Sequence, residues 1–248
     1  MPTPFTHLAK AEQLLHDPTL SSQGHALLER HWGPFLLGSI VADGHHLAAG
    51  LKRADTHFFV YQPHIDPPAE STMLEQYPQL CYADLGATAQ AVFIAGYLGH
   101  LAVDVVWCED VIFPYFWGAD YGNPAYRHFL FTTLIAYMDQ RDYATLPTSH
   151  KTALYDTIPL DWLPFLPDTA ILAWRNRVAE QLKPDGEPDT LAILNRTIQA
   201  GYDLTEILYS APAMQDQLWN RYSLEQLAAA EAKAYARMLS VVCNYLKL

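Results

Sequence analysis

In "GYLGHLAVDVVW", residues 96–107, His100 and Asp104 are the two chemically expensive interruptions of an otherwise apolar run. Four residues apart on a helix, they are offset by about 40° of azimuth, so an imidazole and a carboxylate leave one face and can meet a common partner. Burying either one unpaired costs on the order of several kcal/mol. The pair therefore has two uses: to satisfy each other or a backbone group inside a core, or to hold a metal ion. Three more residues of ligating type interrupt apolar surroundings: Asp43 in "GSIVADGHH", His57 in "RADTHFFVYQ", and His7 in the first turn of the amino-terminal helix. Singly, Asp43 reads as a helix cap, His57 as a core histidine and His7 as a surface residue. Together they bring three imidazoles and two carboxylates from separate segments, and that mixture of nitrogen and hard oxygen donors suits zinc.

The elements that must position these residues are helical. Apolar spacing predicts a helix over about 6–16 and a buried helix through "GPFLLGSIVADGHHLAAGL" (33–51). A long helix is expected over roughly 84–112, stopped by Pro114, and another from "NP" at 123–124 to about 140. The Pro- and Asp-rich stretch 144–168 predicts turns and short helical pieces. "LAILNRTIQAGYDLTEILYS" (191–210) and the segment from Ser223 to the carboxyl end predict two amphipathic helices. The expected fold is all-α, a single multi-helix domain spanning 1–248 around a polar centre.

Composition bounds the function. At 248 residues, half apolar and 17% charged, the chain can bury a substantial core. A formal net charge of −12 gives no basic footprint, so nucleic acid is a poor partner. Cys81, Cys108 and Cys243 are scattered and odd in number, which reads as buried thiols in a reducing compartment. The start, "MPTPFTHLAKAEQLL", lacks the pattern of a secretory signal, predicting a cytoplasmic protein. His, Asp and Gly break the longest apolar stretches, so no transmembrane segment is expected, and no basic amphipathic stretch suggests membrane docking.

The order and spacing of "MPTPFTHL" with His7, "FLLGSIVAD" with Asp43, "DTHFF" with His57 and "AGYLGHLAVDVVW" with His100 and Asp104 resemble the zinc-dependent phospholipase C superfamily. That superfamily includes the single-strand-specific zinc nucleases, and the likeness is greatest to a bacterial branch opening "MPxPFxH". The resemblance covers roughly the first half of the chain. It implies an all-α fold with one to three zinc ions and a phosphate ester or phospholipid head group as substrate. By position, Asp43, His57, His100 and Asp104 would surround a first zinc, and Asp104 would bridge to a second ion held also by His7. Asp43 would ligate, or hold the attacking water as a base.

The chain departs from that pattern in two places. Secreted relatives ligate zinc through an amino-terminal tryptophan, where this chain begins Met1-Pro2. For a further zinc, the matching positions hold Asp110 and then His128 followed by Thr132. Asp110 lies about 9 Å along the helix from Asp104 and is turned away by over 100°, so this third site is expected to be incomplete. His45 and His46 would orient Asp43 or add ligands. Glu109 reads as a surface charge and Trp107 as core or pocket wall. Asp203 and Glu206 could approach from the opposite side, His16-Asp17 reads as a helix end, and residues 112–129 as a possible lid. The expected function is a zinc-dependent hydrolase of phosphate esters. The alternatives are a non-catalytic binding or scaffold protein that keeps a structural ion, or a metal-free core in which His100 and Asp104 pair.

Overall fold

Thr3 begins the first helix by accepting a hydrogen bond from the Thr6 amide, and Pro4 follows at the first helical position, where its missing N–H costs nothing. The computed structural model describes residues 1–248, and its regular structure is helical throughout. In chain order the α-helices are α1 (Pro4–Leu15), α2 (Ser22–Arg30), α3 (Trp32–Val41), α4 (Arg53–His57), α5 (Ala69–Gln76), α6 (Tyr82–Leu85) and α7 (Ala89–Trp107). There follow α8 (Pro124–Tyr143), α9 (Ser149–Tyr155), α10 (Asp168–Gln181), α11 (Thr190–Asn195), α12 (Leu204–Leu208), α13 (Ala211–Ala213) and α14 (Leu224–Leu246). Thr88, Asn123 and Ser223 cap α7, α8 and α14 through their side chains. At Ser223 the reciprocal partner is Gln226, which completes a capping box.

All the helices close over one apolar core, with α7 at its centre between α3 and α14. The stretch Ala89–Trp117 is long and apolar enough to cross a membrane, and its most apolar window, with a mean hydropathy of 1.7, is entirely buried inside the protein. Its apolarity is used by neighbouring helices. Glycine sets how close α3 comes. A Cβ on Gly38 would lie 2.0 Å from the Phe93 carbonyl oxygen, and one on Gly96 would lie 2.4 Å from that of Phe35. Only hydrogen fits there, so the two backbones touch.

Several boundaries differ from the sequence expectation. The helix expected over 33–51 ends at Val41, and a tighter 3₁₀ turn, Ala42–Leu47, carries the chain past Asp43. Pro114 does not stop the long helix. From Cys108 to Trp117 the backbone widens into a π-helix, which moves the carbonyl four residues back away from the proline ring. The helix expected over 191–210 is two short ones, α11 and α12, separated by a non-helical stretch over 196–203 in which Gly201 adopts a φ of +98° that continues no right-handed helix. Helices α2 and α10 were not anticipated. Of the three free cysteines, only Cys108 is fully buried; Cys81 and Cys243 are half-buried.

Candidate metal centre

His100 lies in the middle of α7 with its side chain fully buried. Its Nδ1 donates to the Ser39 carbonyl at 2.9 Å, across the α3–α7 seam that the glycines bring together. A carbonyl can only accept, so the proton belongs to Nδ1, and Nε2 presents a lone pair to the interior. His57, at the end of α4, repeats this arrangement. Its Nδ1 donates to the Arg53 carbonyl at 3.2 Å and lies 3.1 Å from Thr56 Oγ1. The chain leaves α4 at once, since Phe58 turns into the left-handed region at φ +59°. The Nε2 atoms of His57 and His100 end 3.4 Å apart.

Carboxylates complete the cluster. Asp104, fully buried one turn beyond His100, places Oδ2 3.6 Å from His100 Nε2 and 3.5 Å from His57 Nε2, and Oδ1 3.4 Å from His7 Nε2. Asp43, 19% exposed to solvent at the start of the 3₁₀ turn, lies 3.3 Å from His57 Nε2. His7 stacks on His100, with ring centroids 3.8 Å apart at 17°. The ligand atoms fall into two groups, each within 4.8 Å: His7 with His100 and Asp104, and Asp43 with His57 and His100. His100 has one free nitrogen and serves one ion, whereas Asp104 has two oxygens facing different histidines and can serve two. Both His7 Nε2 and Asp104 Oδ1 lack any hydrogen-bond partner.

Electrostatics keeps these donors in ligating form. Burial pushes the His57 imidazole down to about 4, against the pull of the Asp43 carboxylate beside it, and His7 also down to about 4, so both are neutral at pH 7. Desolvation opposes ionisation of Asp43 and Asp104. In acid, where the facing imidazoles become protonated, His57 3.3 Å away and then the charges of His100 and His7 still hold Asp43 below the usual carboxylate range; His100, His7 and the Arg53 guanidinium do the same for Asp104. Lone pairs therefore converge from several sides, an arrangement able to hold a cation.

The residues anticipated from sequence divide clearly. His7, Asp43, His57, His100 and Asp104 come together. His45 and His46 line the adjoining cleft but join neither group; His45 Nδ1 donates to the Ala42 carbonyl at 3.1 Å. Asp110 points elsewhere, paired with Lys233 at 2.5 Å, and His128 sits half-buried on α8 outside both groups. Thr132 donates to the His128 carbonyl. Glu109 holds the chain near residue 65, accepting from the Ile65 amide at 2.7 Å. Trp107 is wholly core, Asp203 caps α12 and Glu206 is exposed. Asp17 accepts from Thr19 and Tyr235, and no residue of 112–129 lines the cleft.

Beside the cluster lies a cleft of about 630 Å³. Met1, Pro2, Asp43 and Arg53 line it together with Trp174, Arg177, Ile193 and Arg196 from α10 and α11 and the turn after it. Arg53 went unnoticed in the sequence. Its Nη2 donates to Asp104 Oδ2 at 2.8 Å, and the signal available was its position four residues before His57 in "RADTH". Compared with protein-family models, with curated proteins and with solved structures, the chain matches none.

Proposed function

We propose that the protein is a zinc-dependent hydrolase of phosphate esters, phospholipase C-like or a related phosphodiesterase. One observation carries this: His57 and His100 Nε2 lie 3.4 Å apart, with Asp43 Oδ1 3.3 Å from the first and Asp104 Oδ2 3.5 and 3.6 Å from the two, beside an arginine-lined cleft. The donor set fits zinc, being two or three neutral imidazoles with carboxylates. Asp43, His57, His100 and Asp104 Oδ2 would hold one ion, and His7 with Asp104 Oδ1 a second. Bound zinc supplies Lewis acidity and lowers the pKa of a water ligand.

The chain's own residues do the remaining work. Ser39 and the Arg53 carbonyl fix the two imidazoles by their far nitrogens, so little reorganisation is needed on loading. Asp43 alone of the cluster reaches solvent, and its lowered proton affinity suits ligation and orientation of water better than proton storage. Trp174, Ile193 and Leu194 give the cleft an apolar side for the organic part of an ester.

The test is metal content by inductively coupled plasma mass spectrometry, with hydrolysis of bis(p-nitrophenyl) phosphate and phosphatidylcholine, for the parent and His100→Ala/Asp104→Ala. Near-stoichiometric zinc and turnover, both lost in the variant, support the proposal; a parent that takes up no metal after incubation with zinc sinks it. A second reading draws on the Arg53–Asp104 pair, which neutralises Asp104 from within the protein. A non-catalytic helical protein could then bind an anion in the cleft, and ligand binding without turnover would identify it.

A further inference from the structure

The two ends of the Arg53–Asp104 pair lie in different surroundings. The Asp104 carboxylate is fully buried, whereas the Arg53 side chain is 21% exposed and lines the cleft. Its guanidinium carbon lies 4.6 Å from the Phe59 ring centroid and 4.5 Å from that of Tyr61, so two aromatic rings hold it. Of the five N–H donors a guanidinium carries, one is used inside the protein, on Asp104 Oδ2.

Charge makes this pair conditional. With the histidines neutral, Asp43, Asp104 and Arg53 together carry one negative charge. A divalent cation on Asp104 turns that into one positive charge and takes over the carboxylate that Arg53 was neutralising. A pocket of positive charge favours an anion. The fork of donors on arginine matches the oxygens of a phosphate or phosphonate, and aromatic stacking fixes its plane beforehand. Although the whole chain carries −12, three arginines line the cleft against the carboxylates of Asp43 and Asp189.

We propose that Arg53 is the oxyanion-binding residue of the cleft, restrained by Asp104 and released to a phosphate or phosphonate group when a cation takes the charge of Asp104. This rests on Asp104 being a cation ligand, as in the function proposed above. It assigns Arg53 the recognition of the substrate's phosphoryl group, and makes cation and oxyanion bind cooperatively.

The experiment is calorimetric titration of phenylphosphonate, a non-hydrolysable aryl oxyanion, into chelator-dialysed parent, Asp104→Asn and Asp104→Asn/Arg53→Gln. Asp104→Asn releases Arg53 with no metal present, so its affinity should exceed the parent's at least tenfold, and the double variant should lose the gain. Zinc-loaded parent should gain at least tenfold over the chelated parent, and zinc-loaded Arg53→Gln, whose ion still meets the phosphonate, should bind at least fivefold more weakly than the zinc-loaded parent. A gain below twofold in Asp104→Asn, or one retained in the double variant, overturns the role of Arg53. Should the parent take up no zinc while Asp104→Asn still gains affinity, the metal centre is overturned and the role of Arg53 supported. If Asp104→Asn does not fold, Arg53→Lys decides in the zinc-loaded protein. It keeps the charge and loses the fork, so at least fivefold weaker binding is expected, and equal affinity overturns the proposal.

Discussion

His100 donates from Nδ1 to the carbonyl of Ser39 at 2.9 Å, joining the middle of α7 to the end of α3. That bond commits the imidazole's other nitrogen to the polar centre, and it exists because the two backbones touch at Gly38 and Gly96. Helix packing and ligand geometry are therefore one feature.

Gly96→Ala tests this directly. Its methyl group would lie 2.4 Å from a backbone oxygen, which no rotamer change relieves, so α3 and α7 must part. A loss of roughly 1–3 kcal/mol in urea denaturation is expected, typical of overpacking, together with weaker zinc uptake. A variant as stable as the parent that binds zinc equally well would break the link between seam and site.

The two faces of Asp104 predict separable ions. His7 lies near Oδ1, and His57 near Oδ2. His7→Gln should lower zinc stoichiometry by one and leave an ion at His57, whereas His57→Gln should spare the ion nearer His7. Metal analysis after desalting measures both. Complete loss of metal in each variant would point to one shared ion.

Chelation should cost stability. An ion that binds the folded chain stabilises it by mass action, by about 2.7 kcal/mol at a hundredfold excess over Kd. Treatment with a chelator is expected to lower the thermal midpoint of the parent and leave that of His100→Ala/Asp104→Ala unchanged. Equal shifts in both would place the responsible ion elsewhere.

Asp139, buried on α8 with Oδ1 unpartnered, predicts a pH dependence separate from the centre. Burial pushes its carboxyl up to about 6, and the Thr3 and Thr190 hydroxyls offset only part of this. The folded state keeps a proton that the unfolded chain releases near pH 4, so this group's contribution to stability falls as pH rises from about 4 to about 6. Asp139→Asn should therefore gain roughly 2–3 kcal/mol at pH 7 and little at pH 4. Urea denaturation at both pH values decides; a gain of equal size at both would rule out titration of Asp139 as the cause.

Much of the fold was legible because helix signals are local. Thr3 with Pro4, Asn123 with Pro124 and Ser223 mark helix starts by the chemistry of their own side chains, and apolar spacing marks the faces. Boundaries failed where the backbone left the α-helix without breaking, as in the 3₁₀ turn at Asp43 and the π-helix through Pro114. Both alternatives depend on tertiary contacts that periodicity does not encode.

The sequence by itself determined that His100 and Asp104 share one helix face and that aromatic flanks would bury His57, since spacing and burial tendency follow from the residues alone; His7, which reads singly as a surface residue, is buried by the packing. Only the tertiary structure decided that these side chains meet, that Ser39 and Arg53 set the tautomers, that Arg53 closes on Asp104, and that Asp110 and His128 stay apart. Distances between segments tens of residues apart depend on how helices pack. Here Gly38 and Gly96 set that packing, because a Cβ at either would collide with the backbone of the facing helix.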